Sequence, residues 1–323
     1  MKFVILGGGA LGSILAAHLI EARHDVTLIA RGARARFIRT HGVVLSGLSR
    51  LALACPVETD PAQVREADVF INTVKTYDTA AALAPFAALN PTLAFSVQNG
   101  VMKEEALTAQ FGAARVLGCM ADFSGELCDD GTVAFTRNVC LHLGELTGGH
   151  SARAGALAQA LDAAGIVSRE SEAIETVIWS KYVGWVGLML MAILTRQRTA
   201  LFASDPDGAR VLARLTREMG SLAAARGIPL RDGSPMPVAS ILTGTEDDAV
   251  AVVRAVGTAF TANAPAHRMS SLQDTERGRP LEVEETAGHA LAMAAAAGLT
   301  LPTLDLCYRL AATVHRAHLA AKA

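Results

Sequence analysis

The chain has 323 residues, 51% of them hydrophobic and 19% charged, with a formal net charge of −2. That length exceeds the roughly 250 to 300 residues at which a single hydrophobic core stops growing, so two domains are expected. The near-neutral charge gives no basic excess to hold a polyanion, so nucleic acid is not expected as the main partner, and five cysteines (Cys55, Cys119, Cys128, Cys140, Cys307) with no CxxC pair fit a reducing cytoplasm rather than a disulfide framework or a metal site.

KFVIL at the N-terminus reads as a strand, and its four apolar residues are too few for a signal-peptide core. A helix over 10–22 follows, then strand DVTLIA, strand DVFINTV, a helix over 77–88, strand TLAFSVQ and a helix over 103–111. Short β-branched runs separated by helices are the pattern of a parallel sheet covered on both faces. Two further strands, TVAFTRN and VCLHLGE, lead through the turn TGGHS to a helix over 151–164. Beyond IVSRES the spacing predicts only helices, over 172–198, 206–226, 246–260, 282–298 and 302–318. The class therefore changes near residue 170, giving an α/β domain over 1–170 and an all-helical domain over 171–323. The longest apolar run, Val183 to Leu194, is about half the roughly 20 residues of a membrane span, so no membrane is expected. The apolar character of the second domain implies that a partner subunit covers some of it, most simply in a homodimer.

Gly7, Gly8, Gly9, Ala10, Leu11 and Gly12 match GxGxxG directly between a strand and a helix. In that context the glycines permit a tight turn, let a pyrophosphate approach the backbone, and let helix and strand pack closely. The helix N-terminus then offers free N–H groups to the phosphates. At the end of the second strand, where an NAD site carries a carboxylate, stand Ala30 and Arg31. A guanidinium binds a 2′-phosphate that a carboxylate would repel, so NADP(H) is favoured. Arg34 and Arg36 read as a solvated helix face. Lys75 and Asn99 follow the next two strands, at the carboxyl edge where such sheets bind ligands.

In the helical half, Lys181, Trp185 and Met189 recur at intervals of four and share one helix face. Lysine is rarely buried without a partner, and a snorkelling surface lysine is the ordinary alternative. His315 and His318 read as exposed residues of the last helix.

The motifs ILGGGALGS, TVKTYDT, VQNGV, WSKYV, SSLQDTERGRPLEVEE and GLTLPTLDLCYRL, in this order and spacing, resemble the ketopantoate reductase (2-dehydropantoate 2-reductase) family over nearly the whole chain. The resemblance implies an N-terminal Rossmann domain, an all-helical C-terminal domain, an active site in the cleft between them, and NADPH-dependent reduction of a small 2-keto acid. By position, it implies that Lys181 is the proton donor and that Glu282 lies near the nicotinamide ribose and the lysine. It further implies that Asn99 helps hold cofactor and substrate, that Arg31 and Lys75 surround the adenosine phosphate, and that Ser270 contacts the substrate.

The chain departs from the family pattern where asparagines follow the lysine at intervals of four; here stand Trp185 and Met189. A site that loses its hydrogen-bonding groups loses its discrimination for a substrate hydroxyl, so a carbonyl substrate less polar than ketopantoate is expected. Both residues could instead pack in the helix core, with the pocket lined by residues such as Thr195 or Arg196. A different class of protein also fits the sequence: an NADP(H)-binding sensor or scaffold whose catalysis has lapsed.

Overall fold

A computed structural model describes residues 1–321 of the chain. Contacts divide it into two compact units, Met1–Glu175 and Thr176–Ala323, where the sequence reading set the change at 170.

The first unit contains β1 (Lys2–Leu6), α1 (Ala10–Glu21), β2 (Asp25–Ile29), α2 (Gly32–His41), β3 (Val43–Gly47), β4 (Leu51–Leu53), β5 (Val57–Glu58), β6 (Val69–Asn72), α3 (Thr79–Leu83), β7 (Leu93–Ser96), α4 (Lys103–Phe111), β8 (Leu117–Leu127), β9 (Val133–Glu145), α5 (Ala152–Ala163) and β10 (Ser168–Glu170). Five strands form a parallel sheet in the order β5-β2-β1-β6-β7. Their runs of Val, Ile, Leu and Phe are buried because helices cover such a sheet on both faces. Strand order reverses at β1, so the crevice between the ends of β1 and β6 is the topological switch point. Register aligns those ends: Leu6 pairs with Ile29 and Asn72, and Asn72 pairs with Ser96. Residues just beyond them therefore form one row along the carboxyl edge.

The expected α/β architecture with a helical second unit is present, with local differences. The segment expected as one helix over 77–88 is a 3-10 turn, the short α3 and a second 3-10 turn containing Pro85, whose missing N–H interrupts the helix ladder. TVAFTRN and VCLHLGE form one continuous strand, β9, paired along its length with β8, which the sequence reading omitted. These belong to a second sheet, ordered β10-β9-β3-β4 with β8 beside β9. Within it, Arg137 donates from Nε and Nη2 to the two oxygens of Asp122, at 2.7 and 3.1 Å.

The second unit is helical: α6 (Ile174–Thr195, its first two residues in the first unit), α7 (Thr199–Ser204), α8 (Pro206–Ala225), α9 (Val238–Leu242), α10 (Glu246–Asn263), α11 (Ser270–Glu276), α12 (His289–Ala296) and α13 (Pro302–Ala320). Caps set several starts. Asp205 accepts from the Asp207 and Gly208 amides at α8, and Thr245 with Asp248 forms a capping box at α10. The α13 N-terminus has no local side-chain cap; Glu218 of α8 accepts from the Thr303 and Leu304 amides at 2.9 and 2.8 Å. The segment expected as one helix over 282–298 is a π turn, Glu284–Gly288, running into α12. There the Gly288 N–H reaches back five residues to the Val283 carbonyl, at 2.9 Å. The helix α6 is long and apolar enough to cross a membrane by length and composition, but almost all of it is buried in the structure.

Glu218→Ala should cost about 0.5 to 2 kcal/mol, the range for a lost helix cap. Urea unfolding of the variant measures it, and an unchanged midpoint would contradict the capping role.

Candidate active site

The glycine loop leaves β1 at Gly7, whose φ of +114° lies in the left-handed region where side chains are strained. A Cβ at Gly12 would fall 2.0 Å from the Gly7 carbonyl oxygen, so only glycine lets α1 lie this close to the strand. Thr73, just past β6, ties the two sides of the switch point together: its hydroxyl donates to the Leu6 and Gly7 carbonyls, at 3.0 and 2.8 Å. A Cβ at Gly9 would meet nothing within 4 Å, and α1 has no side-chain cap on its first turn. Open space over Gly9 and uncapped N–H groups are what a pyrophosphate needs, so the loop fits a dinucleotide.

Arg31 is exposed and stands at the N-cap of α2, directly after the end of β2. Arg34, expected on a solvated face, is instead partly buried and folded under the loop. Its Nε donates to the Gly8 carbonyl at 2.7 Å, its Nη2 to Ser13 Oγ at 2.8 Å and its Nη1 to the Gly131 carbonyl, and it lies over the Phe37 ring. Burial lowers its pKa from the ordinary arginine value. Arg36 is exposed, as expected.

Lys75 is half-buried and precedes the 3-10 turn Thr76–Asp78. Behind it, Gln98 Nε2 donates to the Val74 carbonyl and to Thr79 Oγ1, both at 2.7 Å, and Ser96 Oγ donates to Gln98 Oε1 at 3.0 Å. Asn99 is half-buried beside Gly100, whose φ is +85°. The loop is pinned from below by a buried pair that the sequence reading missed. Lys103 Nζ donates to the Gly100 carbonyl at 2.8 Å and lies 3.2 Å from Glu104 Oε1, which also accepts the Cys119 amide. Burial pushes the Glu104 carboxyl above the usual range, opposed by the Lys103 charge.

In the helical unit, Lys181 is half-exposed on α6 between two anchored neighbours. Ser180 Oγ accepts the Arg231 amide at 3.0 Å, and the buried Tyr182 hydroxyl donates to the Thr286 carbonyl at 2.8 Å. Trp185 and Met189 are 6% and 1% exposed. Met189 has partners in its own unit: Thr286 Oγ1 lies 3.4 Å from its sulfur, and Ser271 Oγ donates to its carbonyl at 3.5 Å. Thr286 Oγ1 also donates to the Glu282 carbonyl, so α6 grips the segment that carries Glu282. Glu282 itself is half-buried. Ser270 opens α11 and is exposed, while Ser271 is the buried serine of the pair.

Two family models match the chain: Ketopantoate reductase PanE/ApbA over residues 3–148 and its C-terminal counterpart over 173–315. The 2-dehydropantoate 2-reductase of Archaeoglobus fulgidus is 31% identical over 280 residues, 87% of this chain and 86% of its own. The chain belongs to the ketopantoate reductase family. Crystal structures carry the same fold: a ketopantoate reductase from Ralstonia eutropha has a TM-score of 0.83 at 23% identity, covering 99% of this chain and 100% of its own. A D-mandelate dehydrogenase in ternary complex with NADH and anilino(oxo)acetate has a TM-score of 0.85 at 19% identity, covering 98% and 99%.

Membership in the ketopantoate reductase family makes the chain an oxidoreductase of CH–OH and C=O groups that uses a nicotinamide cofactor and a small-molecule substrate. The lapsed sensor or scaffold is not favoured. Of the residues missed, Thr73 carried a signal in the sequence, a hydroxyl at the end of a predicted strand beside the glycine loop. Arg34, Lys103, Glu104 and Thr286 act through partners that no local pattern reveals.

Gly9→Ala should fold with stability changed by less than about 0.5 kcal/mol, because its Cβ enters open space. Its affinity for the dinucleotide should fall at least about tenfold, or 1.4 kcal/mol, when measured by fluorescence titration. Undiminished binding would remove the pyrophosphate from Gly9.

Proposed function

We propose that the protein is an NADPH-dependent reductase that converts a 2-keto acid or related ketone into the hydroxy compound, with Lys181 as proton donor. One observation carries the reading: Lys181 is the single charged residue between Thr176 and Thr195, held half-exposed on a helix whose following turns are buried. When bound, the reduced nicotinamide supplies the hydride that adds to the carbonyl carbon. Lys181 Nζ gives its proton to the carbonyl oxygen, so that C=O becomes CH–OH and no free alkoxide accumulates. Fixed neighbours on both sides hold this turn of the helix in place, so the lysine starts from a set backbone position. Glu282 accompanies Lys181 as the second catalytic group and meets the nicotinamide ribose; Asn99 and Ser270 orient the substrate.

The glycine loop, Lys75, Asn99 and Arg31 form the cofactor site. Since a solved neighbour of the same fold carries NADH, the choice of cofactor rests on Arg31, an exposed guanidinium where an NAD site places a carboxylate. Arg31→Asp should lower kcat/KM for NADPH at least about tenfold relative to NADH. Equal losses with both cofactors would place the 2′-phosphate elsewhere.

Trp185, one turn beyond Lys181, presents an indole where the family resemblance places an amide. We propose that it makes the substrate site less polar than one built for ketopantoate, while Met189 supports it from the packed side. The anilino(oxo)acetate of the D-mandelate dehydrogenase structure is an aromatic 2-oxo compound, consistent in kind with this reading. Steady-state kinetics with ketopantoate, 4-methyl-2-oxopentanoate and phenylpyruvate should favour the last two by at least about tenfold in kcat/KM. A preference for ketopantoate would overturn the substrate reading. Lys181→Ala should lower kcat by about 10²- to 10⁴-fold, the range for a lost general acid, with NADPH affinity retained. We also read the enzyme as a cytoplasmic homodimer; a monomer mass by light scattering would refute the dimer.

A further inference from the structure

The segment that carries Glu282 is held by α13 through three contacts in one stretch of chain. The Tyr308 hydroxyl donates to Glu284 Oε2, the Leu281 N–H donates to His315 Nδ1 at 2.9 Å, and His318 Nδ1 donates to the Arg279 carbonyl at 2.8 Å. The middle contact fixes a protonation state. A backbone amide can only donate, so His315 Nδ1 must carry a lone pair, and the ring is the neutral tautomer protonated at Nε2. Leu281 is buried and precedes Glu282 directly, so an imidazolium at position 315 would set two donors against each other at a site with little access to water.

We propose that His315 is a positioning residue for Glu282: its neutral ring anchors the Leu281 amide and thereby sets where the neighbouring carboxylate stands. The proposal rests on Glu282 belonging to the active site. Groups facing the ring reinforce its neutral form on balance. Burial lowers the His315 pKa from the ordinary histidine value, as do His318 and Arg316 on α13; Glu284 of the π turn raises it. From α8, Glu218 binds the opposite end of α13, about 17 Å away at 1.5 Å per residue. A folded pKa below the unfolded value means that the anchor is intact above the unfolded value, near 6.5, and is lost as pH falls through the lowered one.

The test compares His315→Phe, which fills the space without an acceptor, with His315→Asn, whose Oδ1 falls near the place of Nδ1 and does not titrate. Turnover is measured from pH 4.5 to 8 with NADPH and either ketopantoate or phenylpyruvate, beside hydrogen exchange of the Leu281 amide in the NADPH-saturated protein. His315→Phe should lower kcat at least about tenfold with NADPH affinity unchanged, and Leu281 should lose protection. His315→Asn should recover most of the rate and protection, and should flatten the acid limb that the wild type shows below its histidine pKa. A normal rate and protected Leu281 in His315→Phe, or a wild-type acid limb in His315→Asn, would overturn the proposal. Glu282→Gln separates the two readings. If it is impaired while the His315 variants are normal, only the positioning role fails; if it is fully active, Glu282 leaves the active site and the positioning role falls with it.

Discussion

A carbon atom at position 12 would lie 2.0 Å from the Gly7 carbonyl, and most of the first unit depends on that space being empty. Because it is empty, α1 can lie against the end of β1, and its uncapped first turn points over the switch point of the sheet. Thr73 closes the other side by bonding the Leu6 and Gly7 carbonyls from the end of β6. Arg34 supports the same loop from beneath through the Gly8 carbonyl. The loop is therefore held in its shape by the chain's own contacts, and preorganisation of this kind lowers the entropy lost on binding.

The helical unit has a comparable node at Thr286. Its carbonyl accepts Tyr182, and its hydroxyl donates to the Glu282 carbonyl and faces the Met189 sulfur. Thr286 thus holds Met189 and the Glu282 backbone directly, and the Lys181 turn of α6 only through the neighbouring Tyr182. Thr286 lies within the π turn. An i to i+5 turn shifts the phase of the helix, and such insertions recur at functional sites for that reason.

Local patterns in the sequence disclosed what local physics determines. The strand, glycine loop and helix from Lys2 to Glu21 were legible because the spacing of Gly7, Gly9 and Gly12 has meaning only between those elements. So were α5 and α8, whose starts carry the capping residues Ser151 and Asp205. By contrast, β8 was hidden: Gly, Cys, Asp, Ser and Glu interrupt Leu117–Leu127, and its pairing with β9 supplies what its composition lacks. Arg34 looked solvated because one of its acceptors, the Gly131 carbonyl, lies 97 residues away. His315 looked exposed for a similar reason, its donor being 34 residues upstream. The π turn has no compositional signature, since the same residues also suit an α-helix. At the site itself, Ser270 and Ser271 are indistinguishable in the sequence, yet only Ser271 is buried.

The length of α6 also bears on how the chain is made. Its 22 residues, most of them apolar, leave the ribosome before α8, α11 and the π turn exist to cover them. Until Thr286 has been synthesised, roughly 90 residues later, the helix lacks the partners that bond Tyr182 and Met189, and it resembles a nascent membrane span. The core around α6 is therefore complete only once the C-terminal part of the unit has been made.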